Sequence, residues 1–126
     1  MFDEVWARAH AEEWVAAWNA HDLDAIIVLY GDDVEFRSPF VVKRLGDPRG
    51  LLRGKDAVRE YFSRGLAALP HLRFELRNAL VGVDSVAIYY DSVHDARAAV
   101  EVHAFDGEGK IVSVRAHYAD PPAANH

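Results

Sequence analysis

The chain contains no cysteine, which excludes structural disulfides, thiolate metal sites and thiol nucleophiles together. No secretory leader is expected either, since the acids Asp3 and Glu4 stand where a basic region would precede an apolar stretch. No apolar run approaches the roughly 20 residues that a membrane-crossing helix needs. These absences predict a soluble, cytoplasmic protein with no membrane association. Basic residues are in deficit too: 14 Lys and Arg against 20 Asp and Glu leave a formal charge of -6. A surface of that sign repels phosphate backbones, so nucleic acid is not an expected partner. No set of histidines and carboxylates has metal-ligand spacing, and no metal or other cofactor is predicted.

What is present fits one domain. At 126 residues the chain can bury about two thirds of its unfolded surface without a covalent or metal staple. Residues 1–126 are read as a single domain with an ordered core over about 3–118 and a tail at 119–126, where Pro121 and Pro122 argue against another strand. Val5, Trp6, Ala9, Trp14, Ala17 and Trp18 recur at three- and four-residue spacing, predicting an amphipathic helix from Asp3 to Ala20. Asp22 is placed to cap a second helix whose buried face is Leu23, Ile26, Ile27 and Tyr30, with Gly31 as its end. Val34 to Ser38 then alternates as a strand. From Pro39 about a dozen residues mix glycine, proline and bases without a period, predicting a lid-like loop. A third helix starts at Lys55 or Asp56, buries Ala57, Val58, Tyr61, Phe62, Leu66 and Leu69, and stops at Pro70.

Beyond Pro70 the period changes to two. Leu72, Phe74 and Leu76 alternate with charged residues, and Ser85–Ser92, Ala98–Phe105 and Lys110–Tyr118 read as three further strands, with Asp106 to Gly109 as a hairpin turn. Three helices followed by a run of antiparallel strands define an α+β domain whose helices cover one sheet face. Apolar residues of both parities, among them Val100, Val102 and Phe105, predict that the other face is covered as well, most economically in a homodimer through the outer sheet face.

Three stretches, AAWNAHDLDAIIVLYGDDVEF, LRGKDAVREYF and FDGEGKIVSVRAHY, resemble the nuclear-transport-factor-2-like superfamily, and within it the branch of ketosteroid isomerases and SnoaL-like polyketide cyclases. The likeness spans Trp14 to Tyr118. It implies a cone-shaped curved antiparallel sheet wrapped around three N-terminal helices, enclosing an apolar pocket, in a protein that commonly pairs as a dimer. The isomerases of that branch hold a developing enolate with a tyrosine on the first helix and a protonated acid on a late strand, while an acid before a strand-end proline shuttles the proton. Aligned on these motifs, Trp14 stands at the tyrosine position, Ser38 at the shuttling acid and Glu101 at the oxyanion donor. Only Glu101 keeps its chemistry. The resemblance therefore implies the scaffold while arguing against ordinary steroid isomerisation. The paired acids and bridging arginine of the superfamily's epoxide hydrolases cannot be placed either, because Ser38 is no carboxylate and Arg115 has the wrong strand parity.

The same register turns Glu101, His103 and Phe105 toward the pocket, with Val112, Val114, Ala116 and Tyr118 of the last strand. Burial disfavours charge on Glu101 and His103 while their mutual attraction favours it, which suits a pair that exchanges a proton. They are the candidate catalytic residues. Trp14, Trp18, Tyr30, Phe36, Ser38, Tyr61, Phe62, Tyr89, Phe105, Val114 and Tyr118 are the candidate ligand-binding set. Read without the family register, Val100 and Val102 would be the core face and Glu101 with His103 the solvent face, and the aromatics would be core packing. Tyr89 shares a face with Asp91, which becomes a second acid at the pocket mouth only if that face is inward. His21 and His117 are expected at the surface or in a dimer interface, and His10, His71, His94 and His126 have no partner spacing. Lys43, Arg44, Arg49 and Arg53 cluster in the lid and are placed either to hold an anionic ligand or merely to be solvated. Two functions follow: a cofactor-free isomerase, cyclase or dehydratase acting by acid–base chemistry on an apolar carbonyl compound, or a noncatalytic module binding a small apolar molecule or a protein.

Overall fold

A computed structural model describes residues 2–120, so the tail predicted at 119–126 lies mostly outside the described residues. The order of elements is α1 (Glu4–Asn19), α2 (Leu23–Ile27), β1 (Tyr30–Arg37), α3 (Pro39–Leu45), β2 (Leu51–Arg53), α4 (Lys55–Ala68), β3 (Phe74–Val81), β4 (Ser85–Ser92), a 3-10 turn (Val93–Asp95), β5 (Arg97–Phe105) and β6 (Ile111–Tyr118). The strands form one six-stranded sheet in the order β2-β1-β6-β5-β4-β3, curved around the helices. No helix among the described residues is long and apolar enough to cross a membrane.

Local chemistry explains the helix ends. Asp3 accepts from the Trp6 amide at 2.8 Å and Asp22 from the Ala25 amide at 3.1 Å, so each carboxylate satisfies an amide that the first turn leaves open. The buried stripe of α1 is Ala7, His10, Ala11, Trp14, Val15, Ala17 and Trp18. It is rotated from the predicted one: Val5 is 80% exposed, and Ala9 is exposed too, whereas His10 enters the core one turn before Trp14. The helix α2 is shorter than its apolar pattern, because Tyr30 opens β1 and Gly31 lies within that strand rather than ending a helix.

The predicted lid is instead a built corner. The Ser38 hydroxyl accepts from the Phe40 amide at 3.1 Å, Pro39 supplies a preset φ in the first turn, and Gly46 at φ 72° closes α3 in the left-handed region. Gly50, at φ 60°, passes so close to the Ser38 carbonyl that a Cβ there would lie 2.7 Å from its oxygen. The chain then pairs back as β2, with Phe36 opposite Leu52. Among the described residues, four helices rather than three therefore contribute to the domain.

The sheet also departs from the wholly antiparallel expectation. The strand β1 runs parallel to β6, with Phe36 opposite Val114, while the other pairings are antiparallel. A β-bulge between Ala104 and Phe105 shifts the β5–β6 register. Ile111 thereby takes an inward, fully buried position, and Val112 turns to the half-buried outer side, against the predicted inward placement. The outer sheet face carries half-buried Val100 and Val102. On the inner face, Trp14 stacks on Phe74 with centroids 5.5 Å apart, and Trp18 meets Phe62 edge-on at 4.8 Å, closing α1 against sheet and α4.

Ser38→Ala removes the cap of α3 and is expected to cost about 1 kcal/mol. Chemical denaturation measures this, and Ser38→Asp should retain most of the lost stability because a carboxylate caps comparably.

Candidate functional site

The concave side of the sheet and the helix α4 enclose a cavity of about 260 Å³. Its apolar wall is built by Trp18, Phe36, Phe62, Leu69, Leu72 and Phe74. Polar groups enter from fixed strand positions. Alternation brings Tyr90 and Ser92 of β4 inward along with Val86 and Ile88, and Arg97, Ala99 and Glu101 of β5 share the inner face in the same way. Glu101 is 5% exposed and contributes to the cavity wall.

That carboxylate is the first member of a buried polar chain. Tyr90 donates its hydroxyl to Glu101 Oε2 at 3.0 Å, and His103 Nε2 donates to Oε1 at 3.1 Å. Behind it, His103 Nδ1 lies 2.9 Å from His10 Nε2. His103 is 0% exposed, so its only route to a ligand is through Glu101. Burial first, and the proximity of His103 second, lower the pKa of His10 to about 3, which keeps its ring neutral. With Glu101 ionised, His10 Nε2–H donates to His103 Nδ1 and His103 Nε2–H to the carboxylate. Protonating Glu101 reverses the chain: Glu101 becomes the donor, and each histidine carries its proton on Nδ1. The arrangement thus offers Glu101 a hydrogen-bond partner whether the carboxyl accepts or donates.

The phenols around the carboxylate stay protonated. Burial and the Glu101 charge raise the pKa values of Tyr30 and Tyr90 well above the ordinary range, and burial followed by the same charge raises that of Tyr118. Burial raises Tyr61 as well, against the opposing pull of the nearby Arg44. Tyr61, Tyr90 and Tyr118 consequently present O–H donors to the cavity. The hydroxyls of Ser38 and Tyr90 lie close enough to Tyr118 to ease its ionisation, though less than burial opposes it.

Of the predicted binding set, Trp18, Phe36, Ser38, Tyr61, Phe62 and Tyr118 line the cavity with Glu101. Trp14, Tyr30, Phe105 and Val114 are buried elsewhere in the core. Trp14 donates its indole N–H to the Tyr30 hydroxyl at 3.1 Å, so that donor is engaged inside the protein rather than offered to a ligand. Phe105 packs edge-on against Trp6 at 4.7 Å and His10 at 4.8 Å. Tyr89 is misplaced by the prediction: the inward parity of β4 belongs to Ile88 and Tyr90, leaving Tyr89 38% exposed on the outer face. Asp91 shares that face and pairs with Arg77 at 2.9 Å. His117 is exposed, whereas His21 is half-buried, its Nε2 lying 2.9 Å from the Leu72 carbonyl oxygen.

Sequence reasoning missed His10, Tyr90, His94 and Arg97. For His10 the signal was available, since it stands four residues before Trp14 on the buried stripe. Tyr90 was available through the parity of Val86 and Ile88. His94 has no local signature, because the turn at Val93–Asp95 that brings it to the cavity follows no period, whereas Arg97 was available through the parity it shares with Glu101 on β5.

A family model for the SnoaL-like domain matches residues 11–119. The chain belongs to the SnoaL-like family. A SnoaL-like protein of unknown function from Burkholderia thailandensis E264 is 44% identical, with a TM-score of 0.91 over 94% of this chain and 98% of that one. SalBIII, an epoxide hydrolase/cyclase-like enzyme with a role in pyran ring formation in the polyether salinomycin, shares the fold at a TM-score of 0.72 and 24% identity, covering 94% of this chain and 95% of that one. An NTF2-like protein of unknown function from Cytophaga hutchinsonii ATCC 33406 aligns at a TM-score of 0.66 and 15% identity, over 90% and 89% of the two chains. Within this SnoaL-like domain, the described residues hold no group of three or more metal-ligating side chains.

Two measurements test the site. Gly65 lies on α4 at the cavity wall, and a Cβ added there meets nothing within 4 Å. Gly65→Leu should therefore raise the thermal midpoint, since glycine inside a helix costs about 0.5–1 kcal/mol relative to alanine. It should also weaken binding of the apolar fluorophore N-phenyl-1-naphthylamine by occupying its space. The His10 ring gives a pH signature. Its folded pKa of about 3 lies below the unfolded value of 6.5, so the unfolded state binds more protons between those limits and stability falls as pH drops from 6.5 toward 3. His10→Gln, which keeps a donor for His103 but does not titrate, should flatten this acid limb by a few kcal/mol. Urea midpoints across that pH range provide the comparison.

Proposed function

We propose that this SnoaL-like domain binds a small, largely apolar molecule carrying a carbonyl oxygen, and that Glu101 moves a proton on it without a cofactor. The observation that carries this reading is a buried carboxylate set among the aromatic side chains of the cavity wall and bonded through both oxygens, to Tyr90 and His103. Each carboxylate oxygen has two lone pairs, so two acceptor sites are left after these bonds. As a base, Glu101 takes a proton from the carbon next to the carbonyl. The C–H electron pair becomes the enolate double bond, and the carbonyl pair moves onto oxygen. A phenol held protonated by burial, with Tyr118 the best placed of the three because Tyr90 already serves Glu101, donates to that oxygen. Where a C=C bond is conjugated with the enolate, returning the proton to its far carbon isomerises the molecule; attack of the enolate carbon on a second carbonyl within the same molecule closes a ring, the C=O pair moving onto that oxygen, which takes the proton back from Glu101. His103 and His10 position the base and do not touch the ligand.

A second reading, a noncatalytic binding protein, is favoured by one observation. Ser38 is engaged as the cap of α3 and offers no second acid beside Glu101, and the other carboxylate of the lining, Asp95, is held by Arg97. The two readings separate in an exchange experiment. With 2-tetralone in deuterated buffer, NMR should show exchange at the carbon next to the carbonyl faster than in buffer alone. Glu101→Gln should reduce the enzymatic rate about 10²- to 10⁴-fold, the usual contribution of a general base. Saturable binding of 2-tetralone with no accelerated exchange would favour the binding protein, and equal exchange by wild type and variant would reject Glu101 as the base.

A further inference from the structure

The mouth of the cavity carries a charge arrangement that proton transfer at Glu101 does not require. Arg44 of α3 and Arg97 of β5 both contribute to the cavity lining, and each guanidinium carbon lies 5.3 Å from the ring centroid of Phe40. That ring is itself seated against Tyr118, with centroids 4.5 Å apart. One aromatic plate therefore holds two cations at the same opening, restricting side chains that would otherwise be disordered in solvent.

Two neighbouring bases of the same region, Arg49 and Arg53, are otherwise engaged. Arg49 forms a two-pronged pair with Asp47 at 3.2 and 3.1 Å, and Arg53 meets Glu35 at 3.5 Å. Arg97 is oriented by Asp95, which accepts from its Nε at 3.1 Å, and by the Ala119 carbonyl at 3.3 Å from Nη1. A guanidinium has five N–H donors, so these two bonds fix its plane and leave donors for something else. Arg44 forms no ion pair with a carboxylate among the described residues. At the mouth, two guanidinium groups thus face one carboxylate, Asp95, in a protein whose formal charge is -6.

We infer that the ligand of this cavity is an amphipathic acid, whose carboxylate or comparable anionic group sits between Arg44 and Arg97 while its apolar body extends inward to Glu101. Strand geometry sets the distance. Arg97 and Glu101 share the inner face of β5 four residues apart, and at about 3.3 Å per residue their backbones are roughly 13 Å apart. An apolar body of two or three fused rings, or a folded chain of similar length, spans that interval. An anion at the mouth also keeps its charge away from the Glu101 carboxylate, which would repel it at close range. The inference rests on the cavity reading above and adds the chemistry of one end of the ligand.

Two probes with the same aromatic frame test it: 8-anilinonaphthalene-1-sulfonate, which is anionic, and N-phenyl-1-naphthylamine, which is neutral. Fluorescence titrations of the full chain should show that Arg44→Met weakens the sulfonate about tenfold and leaves the neutral probe within twofold. Arg44→Lys should restore part of the loss, and raised salt should weaken only the sulfonate. Arg59→Met, which alters an exposed pair with Asp24 away from the cavity, should change neither. Equal effects of Arg44→Met on both probes, or none on either, would overturn the anion site while leaving the cavity and Glu101 chemistry in place. Failure of both probes to bind wild type would overturn the anion site and the cavity reading together. Because Arg44 is exposed and outside the core, circular dichroism should show an unchanged fold in each variant.

Discussion

Everything at the centre of this domain depends on a carboxylate enclosed by aromatic rings. An isolated ionised group in such surroundings would be prohibitively unfavourable, and protonation or exposure would be its ordinary escape. Glu101 is instead compensated through a chain that crosses between elements: Tyr90 from β4 on one oxygen, His103 from β5 on the other, and His10 from α1 behind the second. The chain ties helix to sheet by directional bonds within an otherwise nondirectional core. The aromatic cluster of Trp14, Phe74 and Tyr90 then fills the space around it, with Trp14 and Tyr90 edge-on at 5.2 Å. Polar and apolar contributions are interdependent here. Removing one histidine leaves a buried ring nitrogen without a partner, whereas removing an aromatic group loosens the geometry that keeps the bonds short.

Much of this was legible in the sequence, for reasons that differ from element to element. Helix periodicity identified α1 and α4, and period-two alternation located β4 and β5, because each buries one continuous face. The placement of Glu101 and His103 on the inward side required a register that alternation alone could not supply, since Val100 and Val102 made the opposite parity equally apolar. The family resemblance chose between the two, and the burial of Glu101 and His103 agrees with that choice. The stripe of α1 was drawn one position off because Val5 and Ala9 are apolar yet exposed, and that error concealed His10. Helix α3 was invisible for a different reason. Its seven residues are too few to display a period, and its identity lies in its ends, Ser38 with Pro39 at one and Gly46 at the other. Tyr89 failed because two adjacent tyrosines cannot be distinguished by type, only by parity.

The corner between β1 and β2 links the two ends of the cavity. Ser38 closes β1, caps α3 and lies near Tyr118, while Phe40, two residues on, supports both guanidinium groups at the mouth. In the branch of the superfamily that places an acid at this position, the strand end serves proton transfer. Here it serves architecture, and the polar contribution of the corner has moved to the cavity opening. The departure from the isomerase pattern is therefore accompanied by a different arrangement of charge rather than by a blank wall.

The parallel pairing of β1 with β6 has a consequence for how the chain reaches this structure. Residues 30–37 find one of their two strand neighbours only in residues 111–118, so the sheet stays open at its middle until most of the sequence is available. During synthesis β1 and β2 can form only a small hairpin-like unit, with its other edge unprotected. Closure of that long loop carries an entropic penalty before any contact repays it, and nonlocal pairing of this kind slows folding relative to local contacts. A nascent chain held before residue 111 would expose the edge of β1 to other strands, making that interval the period in which such a protein most depends on chaperones.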